Sequence, residues 1–143
     1  MAVAPDRALV EERIRRGFES WNRGDFAAFL EDVHPDIEYA PGIVVSRAEG
    51  GPVIYRGRDE LFRFFDEWHS QWRMEIAVGE IEEIGEWFVV LGRAKLTGVQ
   101  SGAAFEQDVG WIGQADDDAR LLRLYSYPSH EAAREAAAAM RSP

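Results

Sequence analysis

Tyr39, Glu38 and Asp108 are the residues whose type and place best suit proton chemistry or polar recognition. Glu38 and Tyr39 sit in IEYAP and Asp108 in FEQDVGWIG, two stretches that read as strands. A carboxylate drawn inside the protein would have its pKa raised by desolvation and could act as acid or base. A buried phenol could donate or accept one hydrogen bond. Alternation along FEQDVGWIG puts Phe105, Gln107, Val109 and Trp111 on one face, so Asp108 points away with Glu106. A solvated or interface carboxylate is the simpler reading for Asp108, and the same reasoning covers Glu38. Tyr39 is therefore the expected polar handle.

Other chemistries find no support. His34, His69 and His130 are scattered without metal-ligand spacing, and His69 beside Trp68 reads as a surface histidine. There is no G-x-S-x-G elbow, no P-loop and no G-x-G-x-x-G, so no metal or cofactor is expected. The chain has no cysteine, which excludes thiol nucleophiles and suits a reducing compartment. A formal charge of -10 weighs against nucleic acid and anionic membranes, which bind clustered Lys and Arg. No stretch reaches the length of a membrane span and MAVAPDRALVEE lacks a continuous apolar run, so the expected location is cytoplasmic. Asp116 to Asp118 reads as a solvated acidic turn.

The elements that must position these residues follow from apolar spacing. At 143 residues the chain suits one domain over its whole length, with a core from about residue 7 to residue 139. Val10, Ile14, Phe18 and Trp21 form one stripe of a helix from about Asp6 to Arg23. Gly24 is its natural stop and Asp25 the cap of a shorter helix carrying Phe26, Phe29, Leu30 and Val33. His34-Pro35-Asp36 should end that helix, and Ile37 to Pro41 should form a short strand. Gly42 to Pro52 reads as a loop, and Val53 to Gly57 as a short extended piece. A third helix, about Asp59 to Trp72, carries Leu61, Phe64, Phe65, Trp68 and Trp72 at helical spacing. Long strands follow in RMEIAVGEIEEIG, EWFVVLGRAKLTG, AFEQDVGWIGQ and ARLLRLYSYP, with a hairpin turn around Gln100 to Gly102. Ser129 is the expected N-cap of a last helix from His130 to Met140. Helices first and a strand meander afterwards point to α+β, with a curved antiparallel or mixed sheet packed against the N-terminal helices.

The order helix, WNRGD, short helix, HPDIEYAP, YRGRDELFRFF, long strands and SYPSHEAAREA resembles the nuclear transport factor 2-like superfamily, and within it the SnoaL-like group. The likeness runs from about Arg7 to Ala139. It implies a cone-shaped, strongly bent sheet around the helices with an apolar pocket at the wide end, and a homodimer formed through the sheet. Chemistries in the family include polyketide cyclisation, ketosteroid isomerisation, dehydration and epoxide hydrolysis, while other members only bind. Fold alone therefore does not decide function.

Position by position, the isomerase machinery does not carry over. The first-helix tyrosine falls on Gly17. The catalytic aspartate falls on Tyr39 or Ala40, depending on a one-residue gap. The late-strand acid falls on Trp111, which counts against SnoaL-type cyclisation too, and the supporting tyrosine falls on Phe65. Enolate chemistry needs a base in reach and donors aimed at the developing charge. A different strand register would bring Asp108 forward instead. For the Asp-Arg-Asp relay of epoxide hydrolysis, Arg93 could supply the cation, but no aspartate pair accompanies it. What remains is a pocket walled by Trp21, Tyr39, Phe65, Trp68 and Trp111, suited to an apolar or polycyclic organic ligand. Tyr125 is balanced between lining that pocket and packing elsewhere, while Tyr127 is the family's recurrent tyrosine and structural. The alternative is a non-catalytic interaction module working through the convex sheet.

Overall fold

A computed structural model describes residues 6–40 and 54–140. The expected loop from Gly42 to Pro52 and the start of the following extended piece at Val53 lie outside the described residues. Helix α1 spans Arg7–Arg23, with the Asp6 carboxylate accepting from the Ala8 N–H at 3.0 Å as its N-cap. It stops at Gly24, whose φ of 69° is left-handed and whose N–H bonds back to Ser20 and Trp21. Asp25 then caps α2 (Phe26–Glu31) by accepting from the Ala28 N–H. The α1 stripe and the α2 rings therefore converge at Trp21, as their spacing requires.

The next boundary differs from expectation. Val33 opens strand β1 (Val33–Ala40) rather than extending α2, and His34-Pro35-Asp36 lies within the strand. The reason is a break in the pairing. β1 runs parallel to β6 (Leu121–Tyr127), matched at Val33 with Leu121 and again only from Glu38 with Arg123. Pro35 falls in the skipped stretch, where its missing N–H costs no ladder bond. Strand β2 is only Tyr55–Arg56, paired antiparallel with β1. Helix α3 (Gly57–Gln71) follows and passes directly into β3 (Trp72–Ile84).

β3, β4 (Trp87–Gly98), β5 (Ala104–Ala115) and β6 form an antiparallel meander. The sheet order is β2-β1-β6-β5-β4-β3, a curved and open sheet wrapped around α1, α2 and α3. One outer edge is β3, and α1 covers part of it. Asn22 donates to the Ile76 carbonyl at 2.9 Å and accepts from the Ile76 N–H at 2.8 Å, so one side chain reproduces a ladder pair. Arg15 adds a bond to the Gly79 carbonyl at 3.0 Å, beside the irregularity between Val78 and Ile81. An edge occupied this way is a poor template for strand addition.

The other face of the sheet carries a second apolar layer. Helix α4 (His130–Ala139), capped by Ser129, buries Ala133 and Ala137 against Trp87, Val89, Leu91 and Ile112. His130 Nε2 donates to the Gly92 carbonyl at 2.8 Å and ties the helix to β4. Gly110 makes the close approach possible, since a methyl group there would fall 2.5 Å from the Ala133 methyl.

The β5–β6 turn is held by Asp116. Its carboxylate accepts from the Asp118 and Arg120 N–H groups, both at 2.9 Å, and pairs with the Arg120 guanidinium at 3.2 Å. Burial pushes this carboxyl up, but the two backbone donors, Arg120 and the nearby His34 outweigh it and hold it below its ordinary value of 3.8. A depressed folded pKa stabilises the fold above the unfolded value, and that contribution is lost as pH falls through the lower, folded one. We expect Asp116→Asn to remove part of the acid-side loss of stability. Urea midpoints measured from about pH 6 to about pH 2 would show it as a shallower slope. Equal slopes in both proteins would contradict this assignment.

Candidate functional site

The inner side of the sheet meets the helices in an aromatic cluster. Trp21 comes from the last turn of α1, Phe26 and Phe29 from α2, Phe64, Phe65 and Trp68 from α3, Tyr39 from β1 and Trp111 from β5. Trp21 stands edge-on to Phe65 with centroids 5.0 Å apart, and Phe65 lies 4.1 Å from Phe26. Trp111 reaches Phe18 at 4.7 Å, and Tyr39 reaches Phe64 at 5.1 Å. Each such pair adds about 0.5–1.5 kcal/mol beyond area burial. His69 is partly buried and not a free surface histidine. Its ring stacks on Phe65 at 3.9 Å and meets Trp21 at 4.8 Å, while Nδ1 donates to the Phe65 carbonyl at 2.9 Å. Helical spacing could have shown this, because His69 follows Phe65 by one turn.

Among the described residues, two small voids lie between sheet and helices. One, of about 20 Å³, is bounded by Trp21, Tyr39 and Trp111 with Phe18, Phe29 and Leu124 among its other walls. The second, of about 50 Å³, lies further along α1 between Val10, Ile14, Val90 and Leu121. Phe18, Phe29 and Leu124 line both, so they form the partition. A void needs roughly 10–15 Å³ to hold one water, so these admit only small groups without ring movement. Phe65 and Trp68 support the cluster but do not border the smaller void.

Few polar groups face this interior. Burial, with Tyr55 adding to it, pushes the Tyr39 phenol well above its ordinary value. It stays protonated and acts as a donor or acceptor, not as a base. The indole N–H groups of Trp21 and Trp68 are buried without a hydrogen-bond partner among the described residues. Leaving such a donor unpaired costs about 1–3 kcal/mol. Arg13 and Asp32 are the charged residues on the wall of the larger void. They stand nineteen positions apart, and no spacing rule would have joined them; the packing of α1 on the end of α2 does so.

The carboxylates considered from sequence lie on the opposite face. Asp108 is matched with Arg93 across β4 and β5 and pairs with it at 2.9 Å, with its side chain 55% exposed. Arg93 also meets Glu106 at 3.5 Å, so the cation considered for a relay inside the cone is instead part of an external ion cluster. Glu38, next to inward Tyr39, turns out to Arg56 at 3.2 Å and Arg123 at 3.6 Å. Tyr125 donates to Glu38 at 3.3 Å and packs on Trp87 at 5.7 Å. It therefore belongs to the outer layer and not to the pocket wall. The cause is alternation: Tyr125 is matched with outward Ile112, whereas its neighbour Leu124 faces inward. Tyr127 joins the same outer layer. Among the described residues, no three His, Asp or Glu side chains gather as metal ligands, and no helix is long and apolar enough to cross a membrane.

No curated protein matches the chain. Solved structures do. An NTF2-like protein of unknown function from Burkholderia pseudomallei is 22% identical, with 86% of this chain and 92% of that one aligned and a TM-score of 0.73. TerC, crystallised with polyporic acid, is 19% identical over 90% of this chain and 97% of its own, with a TM-score of 0.72. SalBIII, an epoxide hydrolase/cyclase-like enzyme of pyran ring formation in salinomycin, is 15% identical over 85% and 92%, with a TM-score of 0.70. At these identities the likeness is one of fold. The model of the SnoaL-like domain matches residues 14–124, from the middle of α1 into β6, and the chain belongs to that family.

Proposed function

We propose that the hollow between α1–α3 and the sheet binds a flat, apolar organic molecule that carries a hydrogen-bond acceptor. The observation that carries this reading is the buried indole N–H of Trp21, a residue on the wall of the smaller void, which has no hydrogen-bond partner among the described residues. An apolar enclosure beside an unpaired donor favours a ligand oxygen in that position. Two proteins of like fold support the ligand class: one was crystallised with polyporic acid, and the other works in pyran ring formation. A ligand larger than a few atoms requires Phe18 and Phe29 to turn, which joins the two voids they separate. Any reaction in the hollow would draw on hydrogen-bond donation from Tyr39, because Glu38 and Asp108 lie outside it and the Asp32 carboxylate is held by Arg16. Proton abstraction by a side-chain carboxylate is not part of this reading.

The test is a titration with naphthoquinone followed through the five tryptophan indole N–H signals by NMR. The Trp21 signal should move downfield and saturate as an acceptor arrives. Tyr39→Phe should weaken binding about tenfold, the worth of one buried hydrogen bond, while Glu38→Gln and Asp108→Asn leave it unchanged. Absence of a saturable shift at Trp21, or loss of binding in the two carboxylate variants alone, would overturn the reading.

A further inference from the structure

The larger void differs in character from the one beside Trp21, and a glycine makes room for it. Gly17 borders it from α1 without a side chain. A methyl placed there would meet, outside its own helix, only the Phe29 ring, at ordinary contact distances of 3.7 and 3.8 Å. Val10 and Ile14 from the same helix and Val33, Val90 and Leu121 from the sheet make the lining apolar. Arg13 and Asp32 are the charged residues on the wall, and other groups of the protein take up both. Arg13 Nη1 donates to the Asp118 carbonyl at 2.6 Å, and its buried Nε pairs with Asp32 at 3.7 Å. Arg16 holds both Asp32 oxygens through contacts of 2.6 to 2.9 Å. Among the described residues, a water in this void lacks the roughly two to four polar partners that hold one, and apolar spaces of this kind stay dry.

We infer that this void binds an apolar diatomic gas, dioxygen, in van der Waals contact with Val10, Val33 and Val90. Size sets the first limit. A dry apolar cavity of about 150 Å³ admits benzene, with its six carbons. By proportion the void of about 50 Å³ admits roughly two heavy atoms. Chemistry sets the second limit. A hydroxyl, amide or carboxylate of that size would give up its hydration with nothing to replace it, whereas dioxygen has no such group to desolvate. Entry needs no turn of Phe18 or Phe29, in contrast to the larger organic ligand proposed above. Those two rings and Leu124 line both voids, so the gas rests one layer of side chains from that ligand. The inference concerns the gas alone and does not depend on the organic ligand being bound.

Dioxygen is paramagnetic and speeds the relaxation of nearby methyl protons, so it serves as its own probe. Methyl relaxation is compared by NMR under dioxygen and under dinitrogen at equal pressure. Val10, Val33 and Val90 are buried and border the void, while Val89, Val109 and Ile112 are just as buried and do not. The first three should gain severalfold more relaxation from dioxygen than the second three. Gly17→Ala puts a methyl into about half of the space without a clash, and alanine suits a helix better than glycine. In that variant the advantage of the first three should vanish. Comparing the two groups within one variant cancels any change in how often the whole protein opens. Equal gains in both groups of the wild-type chain, or an advantage that survives Gly17→Ala, would overturn the inference. A nuclear Overhauser contact between the void methyls and a bound water would overturn it too, because the void would then be wet. If the gas result holds while naphthoquinone leaves Trp21 unmoved, this inference stands and the proposed function fails. If naphthoquinone shifts Trp21 and the two methyl groups gain alike, the proposed function stands and this inference fails.

Discussion

Trp111→Ala should destabilise the protein by about 3–5 kcal/mol, the range for losing a buried tryptophan side chain. Trp111 is 2% exposed and is held between Phe18, 4.7 Å away, and the backbone of β4 at Gly92. Neighbouring rings can only partly collapse into the gap, because Trp21, Phe64 and Phe65 brace one another from the helices. The space left joins the void bounded by Trp21 and Tyr39. Urea denaturation measures the loss, and a naphthoquinone titration should show altered binding in the enlarged hollow. Asp108→Asn is the control, with its side chain 55% exposed and bonded only on the outer face. It should change stability by less than about 0.5 kcal/mol. If Asp108→Asn abolished binding and Trp111→Ala were silent, the assignment of the two faces of β5 would be wrong.

Gly110→Ala should be the most damaging single-methyl addition on the outer layer. The new methyl would stand 2.5 Å from the Ala133 methyl and 3.1 Å from the Ser129 carbonyl. Neither neighbour can yield by rotating a side chain, so α4 must lift from β5 as a body. Overpacking of this kind costs about 1–3 kcal/mol. The second variant identifies the cause. Ala133→Gly removes the opposing methyl, so the double mutant should recover part of what Gly110→Ala loses, beyond the sum of the single effects. A strictly additive pair would mean that α4 does not sit on Gly110. The seat matters for the hollow as well, since His130 at the start of α4 holds the Gly92 carbonyl directly behind Trp111.

Much of this molecule was legible in its residues. The α1 stripe, the stop at Gly24, the Asp25 and Ser129 caps and the four long strands follow from local chemistry: apolar period, a left-handed glycine, and short side chains that bond nearby N–H groups. The inward direction of Trp111 and the outward direction of Asp108 followed from alternation alone. The start of β1 was not legible. Pro35 reads as a breaker in isolation, and only the skipped pairing with β6 shows why it is tolerated inside a strand.

Composition and spacing by themselves determined the α+β class, the order of elements and the faces of Trp111 and Asp108, because those depend on neighbours within a few positions. Tertiary structure decided the rest. It placed Tyr125 on the outer layer beside Trp87, set the ring of His69 against Trp21, and left two small voids among the described residues, divided by Phe18 and Phe29. It also joined Arg13 to Asp32. Those outcomes depend on how far apart α1 and the sheet come to rest, a distance set by all the rings packing at once and written in no single segment.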